Sequence, residues 1–154
     1  MKFYINRLIF IIILSSISNI SLSHEFWIDP KNYHLSNNEK AIADIFIGEN
    51  FEGSPIPFTK EYFKISFLHS KDGKSKIKGR LGDIPALNIK KMSKGLNIIQ
   101  IESVTKYVEY QKLVKFEIFT REKGYPNLAQ KHKENNYPEN FFESYKRYAK
   151  SLIS

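Results

Sequence analysis

Apolar and polar residues alternate with a period of two along most of the chain beyond residue 24. Ala41, Ala43, Ile45 and Ile47 alternate with Ile42, Asp44 and Phe46, which predicts a strand buried on at least one face. Phe63, Ile65 and Phe67 alternate with Lys64, Ser66 and Leu68. Ser70-Lys-Asp-Gly73 then supplies a turn, because Asp and Gly tolerate the backbone angles of a tight reversal, and Lys74 to Lys78 can return as the partner strand. Gly95 precedes a strand from Leu96 to Ser103, with Ile99 and Ile101 on the face opposite Ile98 and Gln100. Thr105 to Tyr110 is rich in β-branched and aromatic residues and predicts another strand. Short strands separated by turn signals point to a mainly β architecture, an antiparallel β-sandwich of immunoglobulin-like type or an open barrel.

The last third changes period. Lys112 to Lys123 sets Val114, Ile118 and Phe119 on one helical face, and Gly124 ends it. Asn127 to Lys133 predicts a second, short helix. After Pro138, a residue suited to a helix start, Phe141, Phe142, Tyr145, Tyr148, Ala149 and Leu152 recur at three-and-four spacing, which predicts a third. Two or three helices are therefore expected after the strands.

The opening of the chain has a different composition. Met1 to Arg7 carries Lys2 and Arg7 and no acid, Leu8 to Leu14 is wholly apolar, and Ser15 to Ser23 is mostly small and polar. This is the order of a secretory signal peptide, 1–23, followed by a single domain at 24–154. Seven apolar residues make about 10 Å of helix against the roughly 30 Å of a bilayer core, so no permanent membrane anchor is expected. Ser21 and Ser23 are small enough for signal peptidase, and cleavage after Ser23 would leave His24 first. The 154 residues carry a net charge of +8, which falls to +6 when Lys2 and Arg7 are removed. The Lys residues are interleaved with Asp, Glu and Asn, and export argues against nucleic acid as a partner. With no Cys, neither disulfides nor lipid attachment is available, so the core must hold the domain together unaided.

Four strings in order carry a resemblance: HEFWIDP at 24–30, IGENFEGS at 47–54, GRLGDIPALN at 79–88 and ESYKRYAKSLI at 143–153. Together they resemble the bacterial periplasmic domain-of-unknown-function family 4198, often described as similar to a periplasmic component of cobalt or nickel ABC transport. The resemblance covers nearly the whole chain after the leader. It implies a periplasmic location, a β fold and an association with a metal-uptake system. It also implies a second, immunoglobulin-like β-domain after the RYAKSLI segment, which this sequence lacks. It assigns no catalytic residue.

The candidate chemistry centres on His24. A chain beginning there offers an α-amine and an imidazole Nδ1 that can chelate one metal in a six-membered ring. Such groups ordinarily titrate near 7.7–8.0 and about 6.5, so both deprotonate at modest cost. Nitrogen donors of this kind suit a transition-metal ion such as Ni, Co or Cu. His69, at a strand end before a turn, and His34, after a reversal at Asp29-Pro30, are the candidate second ligands; His132 sits in a polar segment expected to be exposed. Glu25 and Asp29 could add carboxylates, or serve as a surface residue and a turn residue. GRLGD at 79–83 lacks phosphate-loop spacing and reads as turns with a local Arg80–Asp83 ion pair. Phe51, inside ENFEG, reads as a plug for the core. No Ser-His-Asp order, paired-carboxylate site or HExxH appears. The function expected is therefore that of a non-enzymatic accessory protein of metal uptake, the alternative being a structural or protein-interaction domain that binds no metal.

Overall fold

In the computed structural model, which describes residues 24–36 and 39–154, ten strands and two helices follow one another along the chain. The leader, residues 1–23, lies outside the described residues. The strands are β1 (Glu25–Pro30), β2 (Ala41–Glu49), β3 (Glu52–Pro55), β4 (Phe63–Ser70), β5 (Gly73–Lys76), β6 (Leu87–Ile89), β7 (Asn97–Ser103) and β8 (Lys106–Tyr110). Helices α1 (Leu113–Glu122) and α2 (Leu128–Glu134) come next, then β9 (Phe141–Tyr145) and β10 (Tyr148–Ile153). Among the described residues no helix is long and apolar enough to cross a membrane.

Two antiparallel sheets form a β-sandwich. In the first, β2 is central: β1 pairs along one side, and β3 and β6 pair with different lengths of the other. The second has the order β10-β7-β4-β5. Period-two alternation turns Ala41, Ala43 and Ile45 of β2 inward, against Ile99 and Ile101 of β7, Leu68 of β4 and Ile153 of β10. Ile45, Ile99 and Ile101 are completely buried. At roughly 25 cal/mol per Å² of apolar surface removed from water, this shared layer is the main force holding the sheets together.

The predicted face of β4 is partly reversed. The β4–β7 register shifts between Phe63 and Ile65, a bulge that changes which residues face inward. Phe63, Ser66 and Leu68 are buried, while Ile65 and Phe67 are only half-buried on the outer side. Beyond the bulge the alternation runs opposite to the one expected from Phe63, Ile65 and Phe67.

Between β7 and β10 the chain makes an excursion. The β8–β9 ribbon and both helices share a small core of Tyr110, Leu113, Phe116 and Ala129, with Phe119 and Phe141 packed against it. Tyr110 donates to Glu143 Oε2 at 3.0 Å, and burial pushes its phenol pKa far above the ordinary 10.0, aided by that hydrogen bond and the carboxylate charge. The excursion returns where it left: Ser103 N–H donates to the Arg147 carbonyl, and Arg147 N–H to Ser103 Oγ, each at 2.9 Å. Lys146 Nζ lies 3.2 Å from the buried Glu102 carboxylate, whose hydrogen bond raises the lysine pKa.

The third predicted helix is not formed. Residues 141–153 make strands β9 and β10, broken at Lys146-Arg147. The helical spacing there was carried by large side chains that lie outside: Phe142, Tyr148 and Leu152 are exposed, whereas Ala149, Ser151 and Ile153 face the core. The true period of two was masked because two of the three buried positions of β10 hold the small Ala149 and Ser151, while the large apolar Tyr148 and Leu152 lie outside. The two earlier helices form within a residue of their predicted bounds, but α1 buries a different face from the one expected: Leu113, Phe116 and Thr120 are buried, while Val114 and Ile118 are exposed.

Candidate functional site

The start of β1 lies beside a tight hairpin. β2 and β3 are joined by Asn50 and Phe51, with φ of 53° and 60°. Two successive left-handed residues make the type I′ turn that suits the twist of a hairpin, usually with Gly second. Here that position holds Phe51, a bulky residue in a conformation costing about 1–2 kcal/mol. Its N–H donates to Glu25 Oε2 at 3.0 Å. Gly48 and Gly53 face each other across the hairpin so closely that a Cβ on either would run into backbone of the other strand.

On the outer face of the first sheet, Trp27 and Phe46 occupy directly opposed positions and stack, with ring centroids 5.2 Å apart and planes 10° apart. The Phe51 ring meets Trp27 edge-on at 5.6 Å and is 75% exposed. It therefore does not plug the core, as the sequence led one to expect; the left-handed turn throws it outward. Trp27, Asp29, Phe46 and Phe51 face Tyr148 and Leu152 across an open cleft of about 1020 Å³ where β1 meets β10.

His24 is exposed and immediately precedes β1. Glu25 pairs with Gly48, so one further step of the register sets His24 opposite Glu49. Glu49 Oε1 is buried and has no hydrogen-bond partner among the described residues. His34 lies beyond the far end of β1, about 20 Å away along a six-residue strand. It is exposed, with Nδ1 2.7 Å from Ser154 Oγ. His69 is the penultimate residue of β4, on the outer face of the second sheet, its Nε2 2.8 Å from Gln100 Oε1. The structure thus does not gather His24 with His34 or His69, and among the described residues no three His, Asp or Glu side chains cluster as a metal centre. His132 is half-buried rather than fully exposed: its ring packs 4.3 Å from Phe141, and its Nε2 lies 2.8 Å from the Pro138 carbonyl. Glu25 is engaged by the Phe51 amide, and Asp29 faces the aromatic cleft. Arg80 and Asp83 form the expected ion pair, Nε to Oδ1 at 2.9 Å.

Residues 21–154 match the family model described as Domain of unknown function (DUF4198). The chain belongs to this family. No curated protein and no solved structure matches the chain. In this DUF4198 domain the residue that sequence reasoning passed over is Glu49. Its place across from the start of β1 is set by the pairing of β1 with β2, in which Glu25 lies opposite Gly48. The outward aromatic pair was legible, since Phe46 shares its face with Asp44 and not with Ile45.

Proposed function

We propose that the chain is an exported, non-enzymatic accessory domain that holds one transition-metal ion, Ni, Co or Cu, at an amino terminus created by processing before His24. It would work in the periplasm beside a metal-uptake system. The observation that carries this reading is the buried Glu49 Oε1, without a hydrogen-bond partner among the described residues, at the register position opposite His24. A carboxylate oxygen left without a partner costs about 1–3 kcal/mol or more, and a bound cation removes that cost. The α-amine and Nδ1 of His24 with the Glu49 carboxylate make a two-nitrogen, one-oxygen donor set suited to these ions. His34 and His69 lie away from this set.

The test begins with mass spectrometry of secreted material, expected to start at His24. That material is then titrated with Cu(II), Ni(II) and Co(II), beside a form carrying one extra residue ahead of His24 and beside Glu49→Gln. Both changes are expected to weaken binding at least tenfold. Equal binding by all three forms, or none by the first, refutes the metal reading. Affinity is also expected to fall on acidification, because protons compete with the metal for both nitrogens.

A second reading, a protein-interaction domain, is favoured by Phe51, an exposed aromatic held in a left-handed turn above Trp27. A partner of β-domain type would then lose its grip on Phe51→Asp in a pull-down, while metal titration stayed unchanged.

A further inference from the structure

The side of the sandwich away from β1 and β10 holds a different feature. Where the chain leaves β5 and where it runs through β6, the two sheets part around a cleft of about 580 Å³. Its rim carries Lys76, Lys78, Arg80, Lys90 and Lys91, with Asp83 as its single acid. Leu68, Ile77, Ala86 and Ile89 line it as well, all buried, so its floor is apolar. The one carboxylate is already committed to Arg80 Nε, which leaves the two terminal nitrogens of that guanidinium for another acceptor. None of the four lysines has a carboxylate within 4.0 Å among the described residues. Five cations from two separate segments thus converge on one concavity.

Like charges fixed on neighbouring β segments repel, and a low-dielectric floor concentrates their field outward. Both effects are relieved by one kind of occupant, an anion with several negative oxygens spaced to reach more than one side chain. Lys supplies point charges and Arg a fork, the combination that takes phosphate oxygens. The cleft is open, which suits an extended ligand over a single enclosed ion. We propose that this cleft binds a polyanion bearing closely spaced phosphate groups, presented either free in solution or on the headgroups of an anionic membrane surface. The site is independent of the His24 end of the molecule and neither needs nor excludes a metal there.

The experiment uses protein recovered from cells expressing the full chain and two probes. Tripolyphosphate is titrated calorimetrically, and sedimentation is measured with vesicles of phosphatidylcholine alone or with about one-third phosphatidylglycerol. Binding to at least one anionic probe is expected, weakening several-fold as salt rises from about 50 to 150 mM. Tripolyphosphate binding identifies a free ligand as sufficient, and binding to anionic vesicles alone identifies the headgroup surface. The double substitution Lys90→Glu with Lys91→Glu is expected to lose at least tenfold. Lys60→Glu with Lys115→Glu, which changes net charge equally at exposed positions outside the cleft, is expected to stay within twofold. Should the first pair unfold, Lys90→Gln with Lys91→Gln is expected to lose at least threefold while keeping the parent urea midpoint. No binding to either probe, or equal losses in the cleft and control pairs, overturns the proposal.

Discussion

Ile153 and Leu152 are neighbours in sequence and opposite in environment, and the difference can be measured. Ile153 is 1% exposed and joins the layer between the sheets; Leu152 is 55% exposed on the outer face. Truncating Ile153 to Ala removes fully buried methyl and methylene groups and leaves a cavity that fixed strands on both sides cannot close. The expected cost is about 2–5 kcal/mol. Full burial of a leucine is worth about 1.5–3 kcal/mol, and Leu152 retains over half of its accessible surface. Leu152→Ala should therefore cost about 1 kcal/mol. Equilibrium urea unfolding of both variants reads the two values, and a loss of 3 kcal/mol should appear as a fall in Tm of roughly 10 °C for a domain of this size. The same pair separates strand from helix: on a helix Leu152 would share the buried stripe of Phe141, Tyr145 and Ala149. Equal costs, or a larger cost at Leu152, would refute the strand assignment and with it the register of β10 on β7.

Two further outcomes follow from local geometry. Tyr110 holds its proton in the fold above pH 10.0, where the unfolded chain gives it up. The unfolded state then binds fewer protons, so stability is full below about pH 10 and falls above it by at most about 1.4 kcal/mol per pH unit. Tyr110→Phe is expected to lose that contribution to the alkaline slope, read by urea unfolding between about pH 9 and 11; an unchanged slope refutes the assignment. Phe51→Gly exchanges about 1–2 kcal/mol of left-handed strain against an edge contact of about 0.5–1.5 kcal/mol and the freedom glycine adds to the unfolded chain. Its stability should stay within about 1 kcal/mol of the parent, and a loss above 2 kcal/mol would show that the ring is structural.

The strands that form the shared core were readable because their buried positions are apolar and alternate with more polar ones. Ile99 and Ile101 announce β7, and Ala41, Ala43 and Ile45 announce β2. The helices at Leu113–Glu122 and Leu128–Glu134 were readable in extent, the first ended by Gly124, but the face read from Val114 and Ile118 lies outside. The signal failed where size and burial part company: in β10 the inward residues are Ala149, Ser151 and Ile153, while Tyr148 and Leu152 point out. It failed also at the β4 bulge, because one extra residue reverses a face without altering composition. For the candidate site, sequence supplied His24 but not Glu49. That juxtaposition depends on the register of β1 on β2, two strands joined by a ten-residue connection (31–40) that pattern alone does not place.

The ends of the excursion between β7 and β10 bear on how such a molecule can change. With Ser103 and Arg147 clasped, those two strands already have the geometry of a plain hairpin whose tip has been opened to admit forty-odd residues with a core of their own. Closing entropy grows only with the logarithm of what is inserted there, so the tip is a natural grafting point. A two-residue Asn-Gly cap, or an unrelated folded cassette, should be accepted at that place with the sandwich left standing.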